Sequence, residues 1–412
     1  MKVQILSINY WPEVTGIGAF TTYRAEHLAA AGHEVEVCTT FPYYPEWRVP
    51  PEYAGKIARV EERNGVTIVR GYAYIPNPVT ALKRVVHEAS FVISATIRAL
   101  GRKRPDVLLV VSPPLGLAAP AIMLSRLWNI PYVFDVEDLQ PDAAADLGML
   151  PGWAIAMLRK VEAAAYRHAR MVTTLTPSMK KRIVEKGVPD EKVELLEPRM
   201  DDSLSNLTPE EGAAFRRRYS LGDEFLVTHS GNVGVKQGLD VILNAAALDR
   251  GDASMRFLIV GNGADSQRIQ RRAAEMKLGN VRFLPLLDQP DFRGLLAASD
   301  VCLVTQQHSV SAIAFPSKVV TYLAAGRPII ASVNRDCEVA RVIEESGAGR
   351  VVDAEEPEAL WFALRGMQSE DLSKYAEKAR EYALMRWSSV RVLGNLERSL
   401  TAAAGAAASS AV

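Results

Sequence analysis

Phe315-Pro316-Ser317-Lys318-Val319-Val320-Thr321-Tyr322-Leu323-Ala324-Ala325-Gly326-Arg327-Pro328, running into Ile329-Ile330-Ala331, is the stretch that decides the fold. A Pro-Ser start, an apolar helical repeat, a Gly-Arg-Pro stop and a β-branched run describe a helix feeding a buried strand. The first amides of such a helix have no intrahelical partners, so that end faces a loop and attracts anions. Ser317 is the expected cap, and Lys318 adds a positive charge beside it. The stretch points to an α/β unit that holds a phosphate-bearing ligand.

Around it the same alternation recurs. Strands are expected at residues 225–229, 256–260, 281–284, 301–305, 328–331 and 349–352, each near a helical segment. The first half repeats the pattern at 3–8, 34–40, 66–70, 107–112, 132–136, 171–175 and 193–196. Such alternation specifies parallel sheets covered by helices on both faces, and the chain splits into two Rossmann-like domains. The seam is placed in the polar stretch 197–211, which carries Pro198 and Pro209 and no sustained periodicity. The expected domains are 1–198 and 199–385, followed by a helix over 386–402. Residues 403–412, all Ala, Gly, Ser or Val, read as a disordered tail.

Composition narrows the function. A chain of 412 residues exceeds one ordinary core. Lys plus Arg equals Asp plus Glu at 48 each, so no global field recruits nucleic acid. Cys38, Cys302 and Cys337 are widely spaced without a Cys-x-x-Cys pair, which suits a reducing compartment and argues against zinc. The first apolar run is too short for a signal peptide and no later run reaches membrane-span length, so a cytoplasmic protein is expected. Residues 81–105 carry Lys83, Arg84, Arg98, Arg102, Lys103 and Arg104 around an apolar face, and 151–170 display Trp153, Ile155, Met157 and Leu158. Two readings stay open there: peripheral contact with the cytoplasmic face of a membrane, or a helix packed on its own sheet with a solvated basic edge.

Chemistry-bearing residues gather at strand ends. The first strand leads into Asn9-Tyr10-Trp11-Pro12-Glu13-Val14-Thr15-Gly16-Ile17-Gly18, whose glycines let backbone approach a ligand. A dinucleotide fold is disfavoured, because Thr21 replaces the third glycine and the second strand ends in Thr39-Thr40 instead of an acid. Asp135, Glu137, Asp138 and Asp142 cluster at the end of the strand 132–136, where open α/β sheets bind ligands. Glu137 and Asp138 are candidates to grip sugar hydroxyls, whereas Asp135 and Asp142 also suit helix caps. No matching cluster supports a metal. In the second half, Gly231-Asn232-Val233-Gly234-Val235-Lys236-Gln237 forms a glycine loop with a cation, and Gly261-Asn262-Gly263 forms a tight turn against which a flat ring can lie. His229 and His308 lie near these ends, with a structural role as well supported as a catalytic one. No Gly-x-x-x-x-Gly-Lys-Ser/Thr occurs, which disfavours a P-loop hydrolase.

Together these motifs resemble glycosyltransferase family 4, retaining enzymes of the GT-B fold, over nearly the whole chain. The resemblance is carried by the loop through Gly16 and Gly18, by Leu28-Ala29-Ala30-Ala31-Gly32-His33-Glu34-Val35-Glu36-Val37, by residues 231–239, and by Val260-Gly261-Asn262-Gly263, Ala298-Ser299-Asp300-Val301 and residues 316–328. Asp138-Leu139-Gln140-Pro141 and the Pro-Ser-Lys start are most similar to bacterial enzymes of surface polysaccharides, such as aminosugar transferases of O-antigen and colanic acid pathways. The resemblance implies two Rossmann-like domains around an interdomain cleft, an N-terminal acceptor domain, a C-terminal nucleotide-sugar domain, and a last helix crossing back to the first domain.

It further implies retaining transfer of a hexose or N-acetylaminosugar, from a nucleotide diphosphate sugar that is UDP-linked, to a lipid-linked saccharide or glycan acceptor. No metal and no cofactor are expected, since the nucleotide sugar is a substrate. Lys318, Lys236, Glu137 and Asp138 are the expected catalytic residues. Gly16, Gly18, Gly231, Asn232, Gln237, Gly261, Asn262, Pro316, Ser317 and Thr321 are the expected donor contacts. Three departures from the family pattern stand out. Its paired glutamates fall on Ile313 and Thr321, its loop Arg and Lys on Asn232 and Gln237, and a frequent His on Glu137. Two rival readings share the fold: a nucleotide-sugar 2-epimerase that needs no acceptor, and a silent sugar-nucleotide-binding subunit that releases no nucleotide.

Overall fold

A strand covered by helices on both faces must be apolar on both sides, and Val-, Ile- and Leu-rich runs meet that condition here. The computed structural model describes residues 1–13, 16–146, 150–249, 254–310 and 315–409; Ile313 lies outside them. The chain divides into two units, Met1–Glu197 with Leu393–Val412, and Pro198–Val392.

The first unit contains β1 (Lys2–Leu6), β2 (Glu34–Thr40), β3 (Ala58–Arg63), β4 (Val66–Gly71), β5 (Val107–Ser112), β6 (Tyr132–Val136), β7 (Met171–Thr174) and β8 (Val193–Leu195). They form one sheet in the order β3-β4-β2-β1-β5-β6-β7-β8. All neighbours are parallel except β3 on β4. β1 lies between β2 and β5, with Val3 opposite both Val35 and Val107. The strand order reverses at that point, so the loops after β1 and β5 splay apart and leave a crevice.

β3 is a strand that the periodicity did not predict. Its residues are mostly exposed, because it is an edge strand with one neighbour. The local signal was the turn Asn64-Gly65, at φ +47° and +78°, which joins β3 to β4 with Arg63 opposite Val66. Asn-Gly with both residues left-handed matches the twist of a two-residue hairpin.

The second unit contains β9 (Phe225–Ser230), β10 (Met255–Val260), β11 (Val281–Leu284), β12 (Val301–Thr305), β13 (Ile329–Ser332) and β14 (Gly349–Val352), in the order β11-β10-β9-β12-β13-β14. Successive residues of β13 feed opposite faces. Ile329 and Ala331 pack with Tyr322, Leu323, Ile343 and Trp387, whereas Ile330 packs with Leu243, Phe257, Ile269 and Leu364. Here the order reverses between β9 and β12.

The division between Glu197 and Pro198 lies in the polar stretch 197–211, and the expected disordered tail needs correction. Residues 197–211 are structured: a helical turn spans Asp202–Asn206, and the helix Pro209–Arg218 starts in a capping box, with Thr208 and Glu211 exchanging side-chain and backbone hydrogen bonds. The tail is helical as well. After Ser388 breaks the chain out of the helix Ser373–Trp387, a helix runs over Ser389–Ser409, well into the expected disordered segment. Alanine has the highest helix propensity, and within the first unit Ser399 donates to Glu194 while Glu397 pairs with His33 at 3.2 Å.

Candidate functional site

In the second unit the chemistry gathers at the β9/β12 reversal. β9 ends in buried His229 and Ser230, and Gly231 turns the chain at φ +114°. The next loop lies directly against it. A Cβ on Gly261, at φ +131°, would meet Gly231 O at 2.0 Å, so only glycine fits. Gly263 is equally constrained by Val233 O at 2.3 Å, and Val233 N donates to Asn262 O at 3.0 Å. These glycines therefore lock two loops into one rigid rim. Asn232 and Asn262 are exposed on that rim. Gln237 turns inward: its Oε1 accepts from Gly234 N at 3.1 Å, closing the turn Val235–Gln237 and occupying its carbonyl within the loop. Lys236 stands exposed on the same turn, and its carbonyl accepts from Gln307 N at 3.0 Å.

The helix Lys318–Ala324 supplies the cation. Lys318 Nζ reaches His229 Nε2 at 3.2 Å and lies beside Gly231, where a Cβ would meet its Cε at 3.5 Å. One turn on, Tyr322 anchors the helix to the strand end, its hydroxyl accepting from Ser230 N at 2.9 Å. Tyr322 was not among the expected site residues; its place four positions after Lys318, on the same helix face, was the available signal. Burial holds the imidazole of His229 well below its ordinary value, and the charge of Lys318 adds to this, so the ring is neutral and accepts from the ammonium. Burial also lowers the Lys318 ammonium to about 7.

Ser317 does not cap. Its backbone is already helical, at φ −57° and ψ −21°, and its side chain makes no cap hydrogen bond. A cap needs an extended backbone to turn its oxygen toward the free amides. Pro316 precedes it half-buried, and Thr321 Oγ1 donates back to Ser317 O at 3.3 Å.

In the first unit the loop after β1 is held by a residue the sequence did not single out. Glu13 is buried and accepts from Tyr43 N and Tyr44 N at 2.8 Å each and from Asn9 Nδ2 at 2.7 Å. Burial raises its carboxyl, and the hydrogen bonds pull the other way. A Cβ on Gly18 would strike Glu13 Cβ and O at 2.9 Å, so Gly18 serves this packing, while Gly16 is exposed at φ +57° with nothing near its Cβ position.

Glu137 and Asp138 follow β6. Glu137 accepts from the buried Arg24 at 2.6 Å, and the same guanidinium nitrogen reaches Asp135 at 2.6 Å. Burial raises the Glu137 carboxyl, Arg24 lowers it and Asp135 raises it again. Glu137 is thus part of a buried ion-pair cluster, while Asp138 is exposed. Arg24 lies 111 residues from Asp135 in the chain, so no local motif announces the pair.

Two Rossmann-like units of this topology are the GT-B fold. The structure resembles sucrose-phosphate synthase from Thermosynechococcus elongatus, with a TM-score of 0.75, 18% identity and coverage of 98% of this chain and 99% of that one. It also resembles HepE from Anabaena solved with UDP, at a TM-score of 0.73 and 14% identity over 98% and 100% of the two chains. Residues 15–199 match the glycosyl transferase 4-like domain, and residues 224–369 match glycosyl transferases group 1. The putative colanic acid biosynthesis glycosyl transferase WcaI of Escherichia coli is 33% identical over 393 residues, spanning 93% of this chain and 95% of the relative. The chain belongs to this family, glycosyltransferase family 4, and is a glycosyltransferase.

Proposed function

We propose that the protein moves a hexose or N-acetylaminosugar, with retention, from a UDP-linked sugar to a lipid-linked or polysaccharide acceptor in cell-envelope glycan synthesis. The observation that carries this is Lys318, whose partly buried ammonium sits beside Gly231 with neutral His229 as its one hydrogen-bond partner among the described residues. A leaving diphosphate gains negative charge as the sugar departs, and a cation fixed at that point stabilises it most when the charge is greatest. Exposed Lys236 supplies a second cation on the same rim, and Asn232, Asn262 and Thr321 line the loops that would hold the nucleotide. The donor belongs to the second unit and the acceptor to the first.

The named role of WcaI in colanic acid synthesis supports an envelope acceptor. So does the helix Ala81–Leu100. Leu82, Val85, Ile93 and Ile97 are each at least 60% exposed along it, and Lys83, Arg84 and Arg98 are interspersed. An apolar stripe with basic neighbours suits the surface of an anionic membrane, and among the described residues no helix is long and apolar enough to cross one.

The test is a thermal-shift panel of nucleotide sugars followed by nucleotide release with polyprenyl-linked saccharides. A UDP-sugar should raise the melting point, and UDP should appear only when acceptor is added. Conversion of the UDP-sugar into its epimer without any acceptor would favour epimerase chemistry, and binding without turnover would favour the silent subunit.

A further inference from the structure

At the β1/β5 reversal the first unit forms an open cavity of about 210 Å³. Its walls include Asn9, Tyr43, Trp47, Arg84, His87 and Glu88. We infer that this cavity binds a hydroxyl-bearing pyranose ring, stacked on Trp47 and hydrogen-bonded through His87.

His87 is the decisive group. It is 1% exposed and lines the cavity, and its Nε2 has no hydrogen-bond partner among the described residues. Its Nδ1 lies 2.6 Å from Tyr74 O, a carbonyl that can only accept, so Nδ1 carries the proton. Burial depresses the imidazole further below its ordinary value, leaving Nε2 as a lone pair. A buried lone pair without a donor costs free energy, and a ligand hydroxyl would satisfy it.

The remaining walls favour the same ligand. Tyr43 and Trp47 flank His87 with ring centroids at 4.7 and 5.5 Å, giving an apolar surface against which the C–H face of a sugar can lie. Trp47 holds φ +51°, a left-handed conformation that a bulky side chain adopts at a cost. Glu13 pins the backbone of Tyr43 and Tyr44, so this wall is built before any ligand arrives. The charges nearly cancel, Arg84 facing Glu88 at 3.7 Å. The cavity thus offers acceptors and rings with its one cation, Arg84, balanced by Glu88, which disfavours a phosphate as its occupant. Treating the ring as that of the acceptor rests on the transferase function proposed above.

Saturation-transfer NMR on the full chain tests this with methyl glycosides of glucose, galactose and N-acetylglucosamine, alongside UDP. At least one glycoside should receive saturation. Trp47→Leu and His87→Leu should each weaken it about tenfold or more, while UDP binding is retained. Trp47 is only half-buried, so its replacement is the one less exposed to misfolding, and retained UDP binding and melting point certify the fold of both. The inference is overturned if no glycoside is saturated, if both variants bind glycoside like the parent, or if inorganic phosphate displaces the glycoside. Glycoside binding without UDP binding would uphold the cavity while sinking the proposed donor.

Discussion

The two sheets reverse their strand order in the same way, yet the reversals carry opposite chemistry. Between β9 and β12 stand glycine loops, exposed Lys236 and partly buried Lys318. Between β1 and β5, and on the neighbouring β6, stand Glu13, Glu88, Asp135 and Glu137, with Tyr43, Trp47 and His87. Topology builds a crevice at each place, and side chains decide what enters it. One suits a diphosphate; the other suits hydroxyls on a ring.

Removing the central cation of each half is the harshest way to break this contrast. Arg24→Ala would leave Asp135 and Glu137 buried without their counter-charge, and truncating one member of such a cluster costs about 3–5 kcal/mol. Without Arg24, burial would hold the Glu137 carboxyl further above its unfolded value. The folded chain would then bind more protons than the unfolded one, so stability should fall as pH rises above the ordinary carboxylate range and recover on acidification. Urea unfolding of parent and variant across mildly acid to neutral pH measures this; an equal loss at every pH would show that the cluster is held by packing instead.

Lys318→Ala should act on the other half with less effect on folding. Loss of one fixed donor to a developing oxyanion typically costs about 10²–10³ in turnover. UDP release under saturating donor should fall by that order while the melting point stays near the parent's, since burying the ammonium already disfavours the fold. Turnover within about twofold of the parent would remove Lys318 from the chemistry.

The same contrast explains what the sequence discloses. Strand runs such as Val107–Ser112 and the glycines of the second-unit loops are local signals, because a doubly covered strand and a left-handed turn each constrain their own residues. Asn64-Gly65 was equally local and marks the hairpin of β3. The partnerships that tune the sites are not local. Lys318 meets His229, Tyr322 meets Ser230, Arg24 meets Asp135 and Glu137, and Glu13 meets Tyr43 only after the sheets assemble. Glu137 looked like an open sugar ligand from its strand-end position, and the missing fact was the arginine on the helix Gly16–Ala30. Ser317 looked like a cap from its residue type, and the missing fact was its backbone angle.

The gentlest probe is pH, and it sharpens the contrast because the groups packed on Lys318 are neutral. His229 is held uncharged, and burial pushes the Cys302 thiol up to about 12, so neither compensates the ammonium. In the ligand-free protein Lys318 loses its proton near pH 7, against an ordinary 10.5. Between those values the unfolded chain binds the extra proton, so the stability of the free protein should rise with pH across this window. A bound diphosphate favours the charged lysine and restores its proton, so nucleotide affinity should move the other way. It should fall by at most about tenfold per pH unit above about pH 7, with proton uptake detected by calorimetry in buffers of different ionisation enthalpy. Lys318→Arg keeps the charge throughout and should flatten both slopes. UDP affinity that stays level from about pH 7 to about pH 9 in the parent would mean that the diphosphate is held by Lys236 and the loop amides instead.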